Sequence, residues 1–261
     1  MAVAFFVRFN LHNSICSNPI SVEMLRPFLN QSDGEIGVML DEIDALQNGR
    51  AERFRKKYPE QTKALGGKKV LFLGDSITSD NLGYREAVTR AAGLRGIDGS
   101  VSGGTSSMIL HEAKRLIDKE KPDLVSLMIG SNDSVSVVRE DLNQVSIGEY
   151  ERNVGEIVRW AKQGGAKVLL FEIPPVVEER FEKSFSGQSK MQSNETVTAY
   201  NESVKRIAQE NRIELQCNRW LLEDAALYER DGIHLSVSGQ ELFAEKWLEA
   251  AAKQYKKGEL A

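Results

Sequence analysis

Cysteine, histidine and long apolar runs are all scarce in this chain, and each scarcity excludes something. The 261 residues contain two cysteines, Cys16 and Cys217, in neither a CxxC nor a metal-type spacing. A disulfide framework is therefore not the basis of the fold, and a reduced, cytoplasmic chain is the simplest reading. Cys217, near a late strand, reads as a small buried apolar residue. Nowhere does an apolar run approach the roughly 20 residues needed to cross a bilayer. The apolar start, residues 2–7, is stopped by Arg8 and has no basic residue ahead of it, a poor match to a signal peptide with its basic front and apolar core of about 7–15 residues. A basic excess is missing as well. The formal net charge is −4, with the two signs mixed along the chain, so there is no field to gather nucleic acid and no membrane partner is expected. No internal repeat or low-complexity segment is found. What is present is 41% hydrophobic content, enough for one substantial core.

From Lys68 onward, strand and helix patterns alternate. Short apolar runs at residues 69–73, 96–101, 123–129, 166–173 and 213–216 suit buried parallel strands. Helical periodicity occupies residues 82–92, 106–119, 147–163 and 195–210, with a last helix over about 238–255. Gly164-Gly165 supplies a helix stop. This alternation predicts an α/β fold with a five-stranded parallel sheet covered on both faces. The first 66 residues do not follow it and read as a separate, mainly helical N-terminal extension, with residues 67–261 as the main domain. In the extension, Val3, Phe5, Val7 and Phe9 give a weak strand signal. Ser21 caps a short helix, and Ser32-x-x-Glu35 is a capping box for a helix with Ile36, Met39, Leu40, Ile43 and Leu46 on one face. That face is expected to pack on the main domain or on a second copy of the chain, which makes a homo-oligomer a possible partner arrangement.

In an open parallel sheet the functional crevice lies at the carboxyl ends of the strands, and the chemistry-bearing residues fall there. Ser76 in Gly74-Asp75-Ser76-Ile77-Thr78 follows the first strand, Gly103 in Ser102-Gly103-Gly104-Thr105 the second, and Asn132 in Gly130-Ser131-Asn132-Asp133 the third. A serine hydroxyl needs a neighbouring base to act as a nucleophile. Of the three histidines, His12 lies in the extension and His111 mid-helix, whereas His234 has Asp231 three residues earlier. One turn brings that carboxylate to Nδ1–H and leaves Nε2 to take a proton from Ser76. The N–H groups of Ser76 and Gly103 and the Asn132 side chain are candidate donors to an oxyanion. A side chain at Gly103 would obstruct the approach to the substrate oxygen. Each block alone has a plain structural reading as a turn or cap; their ordered co-occurrence does not.

The segment from about Lys68 to Tyr255 resembles the SGNH (GDSL-type) hydrolase family, through GDSIT at 74–78, SGGTS at 102–106, GSND at 130–133 and DGIHLS at 231–236. The resemblance implies a flavodoxin-like three-layer α/β/α fold and an esterase or acylhydrolase activity. It also implies Ser76 as nucleophile, His234 and Asp231 as base and orienter, and Ser76, Gly103 and Asn132 as the oxyanion hole. Ile77 stands where many members have leucine, and Leu235 where a proline is common. Thr78 breaks the Gly-x-Ser-x-Gly elbow of the other large esterase fold.

The expected reaction is two-step acyl transfer from a small-molecule carboxylic ester to water, needing no metal or organic cofactor. Two loops above the sheet edge, 134–146 and 174–193, are the places for substrate choice. Neither forms a long apolar groove, which favours short acyl groups such as acetyl esters of carbohydrates or small metabolites. An acyltransferase with the same serine, and a catalytically silent binding or assembly protein, are the alternatives.

Overall fold

Strand β1 (Lys69–Gly74) organises the sheet because its neighbours on both sides run parallel to it. The computed structural model describes Arg8, residues 21–139 and residues 141–256; Val3, Phe5, Val7, Phe9, His12 and Cys16 lie outside the described residues. Five strands, β1, β2 (Arg95–Asp98), β3 (Leu124–Met128), β5 (Lys167–Phe171) and β7 (Leu215–Gln216), form one parallel sheet in the order β2-β1-β3-β5-β7. The crossovers from β1 leave in opposite directions, so the topological switch point lies between β1 and β3. β2 is shorter than the apolar run 96–101, yet the pairing continues past its end. Gly99 N donates to Phe72 O and Val101 N to Gly74 O.

Side chains of a strand alternate between faces, and β1 uses both. Val70 and Phe72 enter one core with α5 (Tyr84–Ala92) and α10 (Val237–Lys256). Leu71 and Leu73 enter a second core with α6 (Ser106–Glu120), α7 (Ile147–Gln163) and α9 (Asn194–Asn211). The result is the expected three-layer α/β/α arrangement, with all five helical patterns found within two residues of the expected bounds. After α7 it is Gly165, at φ 81°, that takes the left-handed conformation, while Gly164 stays right-handed. Among the described residues no helix is long and apolar enough to cross a membrane.

In the extension, Ser21 caps α1 (Val22–Leu25) and the Ser32–Glu35 capping box opens α2 (Asp33–Lys57), which is followed by α3 (Pro59–Leu65). The apolar face of α2 is only partly as expected. Ile36 is buried with Leu25 and Leu29, but Leu46 is 43% exposed. The seam against the sheet domain is formed one step later by Gln47, Arg50, Ala51 and Phe54. It escaped the apolar pattern because two of its four residues are polar.

The loops above the sheet edge are also more ordered than a bare connection. β4 (Ser136–Val137) pairs antiparallel with β6 (Lys190–Met191), so segments 134–146 and 174–193 form one ribbon. α8 (Glu178–Phe185) buries Phe181 and stacks it on Phe185 with ring centroids 4.7 Å apart.

The tightest tie between α10 and the sheet is Trp247. It is fully buried, lies 5.4 Å from Phe72 between ring centroids, and donates Nε1–H to Ser126 Oγ of β3 at 2.9 Å. A Trp247→Ala variant is expected to lose about 3–5 kcal/mol, lowering the thermal midpoint by about 6–20 °C. Thermal unfolding followed by circular dichroism checks this, and an unchanged midpoint would contradict the packing described.

Candidate active site

Three loops leave the carboxyl edge of the sheet and are hydrogen-bonded to one another. β1 ends at Gly74, where a Cβ would sit 2.6 Å from Met128 O; only glycine lets the chain turn this close to β3. Asp75 then caps α4 (Ser76–Ser79), accepting from Ile77 N at 3.0 Å. The Ser131 hydroxyl and N–H also favour the ionised form of this carboxylate, so the loop after β3 bears on the serine turn. Burial raises the Asp75 carboxyl above its ordinary range, against the lowering pull of these donors. Ser79 Oγ lies 2.8 Å from Ser102 Oγ, and Asn132 Nδ2 donates to Gly104 O at 3.0 Å. That bond orients the Asn132 amide and leaves its second N–H for another acceptor. No acceptor among the described residues takes the N–H of Ser76 or of Gly103.

Gly103 has a backbone reason beside the one expected. Its φ is 71°, and a Cβ there would meet nothing within 4 Å. The left-handed backbone demands glycine, while the protein itself leaves the space open. At Gly104 crowding does apply, since a Cβ would approach Val101 O to 2.7 Å.

Ser76 is 8% exposed, and its Oγ lies 2.8 Å from Nε2 of His234. Nδ1 of the same ring lies 2.6 Å from Oδ2 of Asp231. Oδ1 of Asp231 accepts from the backbone N–H groups of Ile233 and His234, each at 3.0 Å. Burial pushes the Asp231 carboxyl up, but the His234 ring and the two N–H donors outweigh it and hold the group below its ordinary value. A hydroxyl bonded to one nitrogen of an imidazole whose other nitrogen meets an ionised carboxylate is equipped to lose a proton during attack.

The histidine loop is held from several sides. Glu229 N donates to His234 O at 2.7 Å, and Leu235 bridges to Tyr228. Gly232, at φ 75°, lets Val177 N donate to its carbonyl at 2.9 Å; a Cβ there would come within 2.5 Å of Val177 O. Leu235 itself is fully buried in the core beside Phe243 and Trp247, so burial anchors the position where a proline is common.

The structure thus brings Ser76, His234 and Asp231 into one bonded chain, and joins the loops of Gly103 and Asn132 beside them. His111 is exposed on α6, as expected of a mid-helix surface residue. Cys217 corrects the expectation of a buried residue: it is exposed just beyond β7, because that strand ends at the sheet's edge. Sequence reasoning passed over the buried acids that shape the turns. Asp133 accepts from Ser106 N with both oxygens, at 2.9 and 3.0 Å, and so caps α6 from the Asn132 loop. Asp80 accepts from Arg8, Gln240 Nε2 and Leu82 N. The available signal was their place, within or just after the serine and asparagine motifs.

Comparison with known proteins bears on the family and the fold. Residues 72–242 match the model of the GDSL-like Lipase/Acylhydrolase family. Acetylxylan esterase of Geobacillus stearothermophilus is 27% identical over 215 residues, covering 70% of this chain and 93% of its own. Esterase TesA of Pseudomonas aeruginosa is 28% identical over 137 residues, covering 48% of this chain and 65%, just under two thirds, of its own length. Among solved structures, the acetyl xylan esterase AlAXEase superposes with a TM-score of 0.57 at 21% identity, covering 70% of this chain and 98% of its own; at that identity the likeness is one of fold.

Burial raises the Asp133 carboxyl to about 6, against the pull of the Ser106 hydroxyl and N–H. A folded-state value above the unfolded one means that the folded protein holds the proton longer. Stability therefore falls as pH rises from the unfolded value toward the folded one, and levels off above it. Asp133→Asn keeps an acceptor for Ser106 N and removes the titration. Relative to wild type, the variant is expected to gain stability between pH 4 and pH 6, by about 3 kcal/mol at the upper end. Urea unfolding of both proteins across that window measures the gap; parallel curves would refute the assignment.

Proposed function

The chain belongs to the GDSL-like lipase/acylhydrolase family, and from that premise we propose that it is a serine esterase that hydrolyses short-acyl esters through an acyl-enzyme on Ser76. The observation that carries this reading is the unbroken bonded chain from Asp231 through His234 to Ser76, at the carboxyl edge of the sheet.

In the proposed reaction Ser76 Oγ attacks the ester carbonyl carbon while its proton passes to Nε2 of His234. The carbonyl oxygen becomes an oxyanion. The N–H groups of Ser76 and Gly103 and the second N–H of Asn132 are its donors, and their preorganisation lowers the barrier because no dipole has to turn during the step. Asp231, held ionised, stabilises the imidazolium and keeps Nδ1 protonated. Collapse of the intermediate breaks the C–O bond to the alcohol, which leaves with the proton from Nε2. Water then attacks the acyl carbon while giving a proton to Nε2; collapse breaks the bond to Ser76 Oγ, which takes that proton back, and the carboxylic acid leaves.

The acyl group proposed is acetyl, on a carbohydrate or small-metabolite alcohol. Similarity to an acetylxylan esterase over nearly all of that protein's length supports this choice. So does the antiparallel pairing of β4 and β6, which ties the two candidate substrate loops to each other.

With a panel of 4-nitrophenyl esters, the rate is expected to be highest for acetate and to fall as the acyl chain lengthens. Ser76→Ala should abolish turnover at every length. Asn132→Ala should lower kcat by about 10²–10³-fold with little change in KM. Full esterase activity in Ser76→Ala would overturn the mechanism, whereas a preference for long chains would overturn only the substrate class.

A further inference from the structure

Resting on that reading of Ser76 and His234, we propose that Arg8, which lies outside the family-matched segment, is a positioning residue that holds the serine turn and the histidine loop in register. Its side chain is buried, 9% exposed. Nε and Nη2 donate to the two oxygens of Asp80 at 2.8–3.0 Å. Nη1 pairs with Glu229, and Nη2 also reaches Leu235 O at 2.6 Å. Asp80 directly follows the helix that opens with Ser76. Glu229 and Leu235 flank the segment carrying Asp231 and His234, and Glu229 N donates to His234 O. One guanidinium therefore spans the two chain segments whose side chains meet at Ser76 and His234. The Arg8 carbonyl adds a further tie, accepting from Asn81 N at 2.7 Å.

Arg50 on α2 repeats this bridge one step farther back. Its Nη1 donates to Leu82 O at 2.5 Å, its Nη2 to Val237 O at 3.1 Å and its Nε to Glu241 at 3.1 Å. Both bridges start in the extension and end on the same two segments. A planar guanidinium satisfies a carboxylate and a carbonyl in different directions at once; an ammonium at the same place keeps the charge but not the fork. The geometry makes Arg8 a brace for the Ser76–His234 contact without touching substrate.

Arg8→Lys keeps a cation opposite Asp80 and loses the fork, so it tests positioning without leaving a buried charge unpaired. With 4-nitrophenyl acetate its kcat is expected to fall about 10–100-fold, with KM within about twofold of wild type. Labelling of Ser76 by an organophosphonate should slow by the same factor, at a temperature where circular dichroism shows the variant folded. Methylguanidinium should restore part of the rate in Arg8→Ala and none in Ser76→Ala. A folded Arg8→Lys with wild-type kcat and labelling rate overturns the proposal, as does a change confined to KM. Should Arg8→Lys fail to fold, Glu229→Gln loosens one partly exposed arm of the brace; at least about a threefold fall in kcat is expected, and an unchanged rate overturns the proposal. Wild-type protein that neither hydrolyses esters nor labels at Ser76 removes the esterase reading itself, a result distinct from any of these.

Discussion

The 2.8 Å contact between Ser76 Oγ and His234 Nε2 joins residues 158 positions apart, and much of the surrounding structure serves to hold it. Proton transfer between a hydroxyl and an imidazole tolerates little misplacement; an error of about 1 Å can cost about 10²-fold in rate. Ser76 inherits its position from β1, which is paired on both sides and has buried residues from Val70 to Gly74. His234 sits on an irregular loop, so its position has to be made from side chains. Asp231 bonds two backbone N–H groups of its own loop, Leu235 is driven into the core, and α10 begins immediately afterwards with Trp247 bonded to the central strand. The two halves meet at Asp80, where Gln240 of α10 and Arg8 both donate.

This construction concentrates carboxylates where water is excluded. Asp75, Asp80 and Asp133 are each at most 1% exposed, and desolvation of a carboxylate costs several kcal/mol unless donors replace the lost water. Each has such donors. Asp75 collects Ile77, Asp133 collects Ser106, and Asp80 collects Arg8, Gln240 and Leu82. Burial still raises all three carboxyls. An apolar residue of the same size would avoid that cost, but it could not cap α4 and α6 or link one turn to the next. The fold accepts a loss of stability in exchange for fixed turn geometry, and it does so within and beside the motifs that carry Ser76 and Asn132.

How much of this was legible depended on the kind of signal. The strands declared themselves because a sheet buried on both faces demands continuous apolar runs, as at Leu71-Phe72-Leu73 and Leu124-Val125. The caps at Ser21 and Ser32 were legible as local chemistry between near neighbours. The candidate site was readable because the motifs of Ser76, Gly103 and Asn132 follow strands β1, β2 and β3, and because His234 has an aspartate three residues before it. Less was readable wherever packing joined distant polar groups. The α2 seam uses Gln47, which donates to Asn81 O, and Arg50, which donates to Leu82 O and Val237 O, all far from α2 in the chain. β4 and β6 are two residues each and have no periodicity to detect. Cys217 looked buried by residue type, but its place at the end of an edge strand decided otherwise.

The ribbon carries one further consequence for the site. Gln192, next to β6, donates Nε2–H to Ser131 O and Ser134 Oγ, each at 2.8 Å. Asn143, on the other side, donates to Ser134 O at 3.0 Å and Ser136 Oγ at 3.2 Å. Both segments that overhang the sheet edge are thus bonded into the turn bearing Asn132, while α8 is bonded through Val177 to Gly232 of the histidine loop. A substitution that widens this ribbon for a larger substrate pulls on the Asn132 turn and on the loop of Asp231 and His234 together. The ribbon and the turns around Ser76 are mechanically linked, because Gln192 and Asn143 share hydrogen bonds with the segment that follows Asn132.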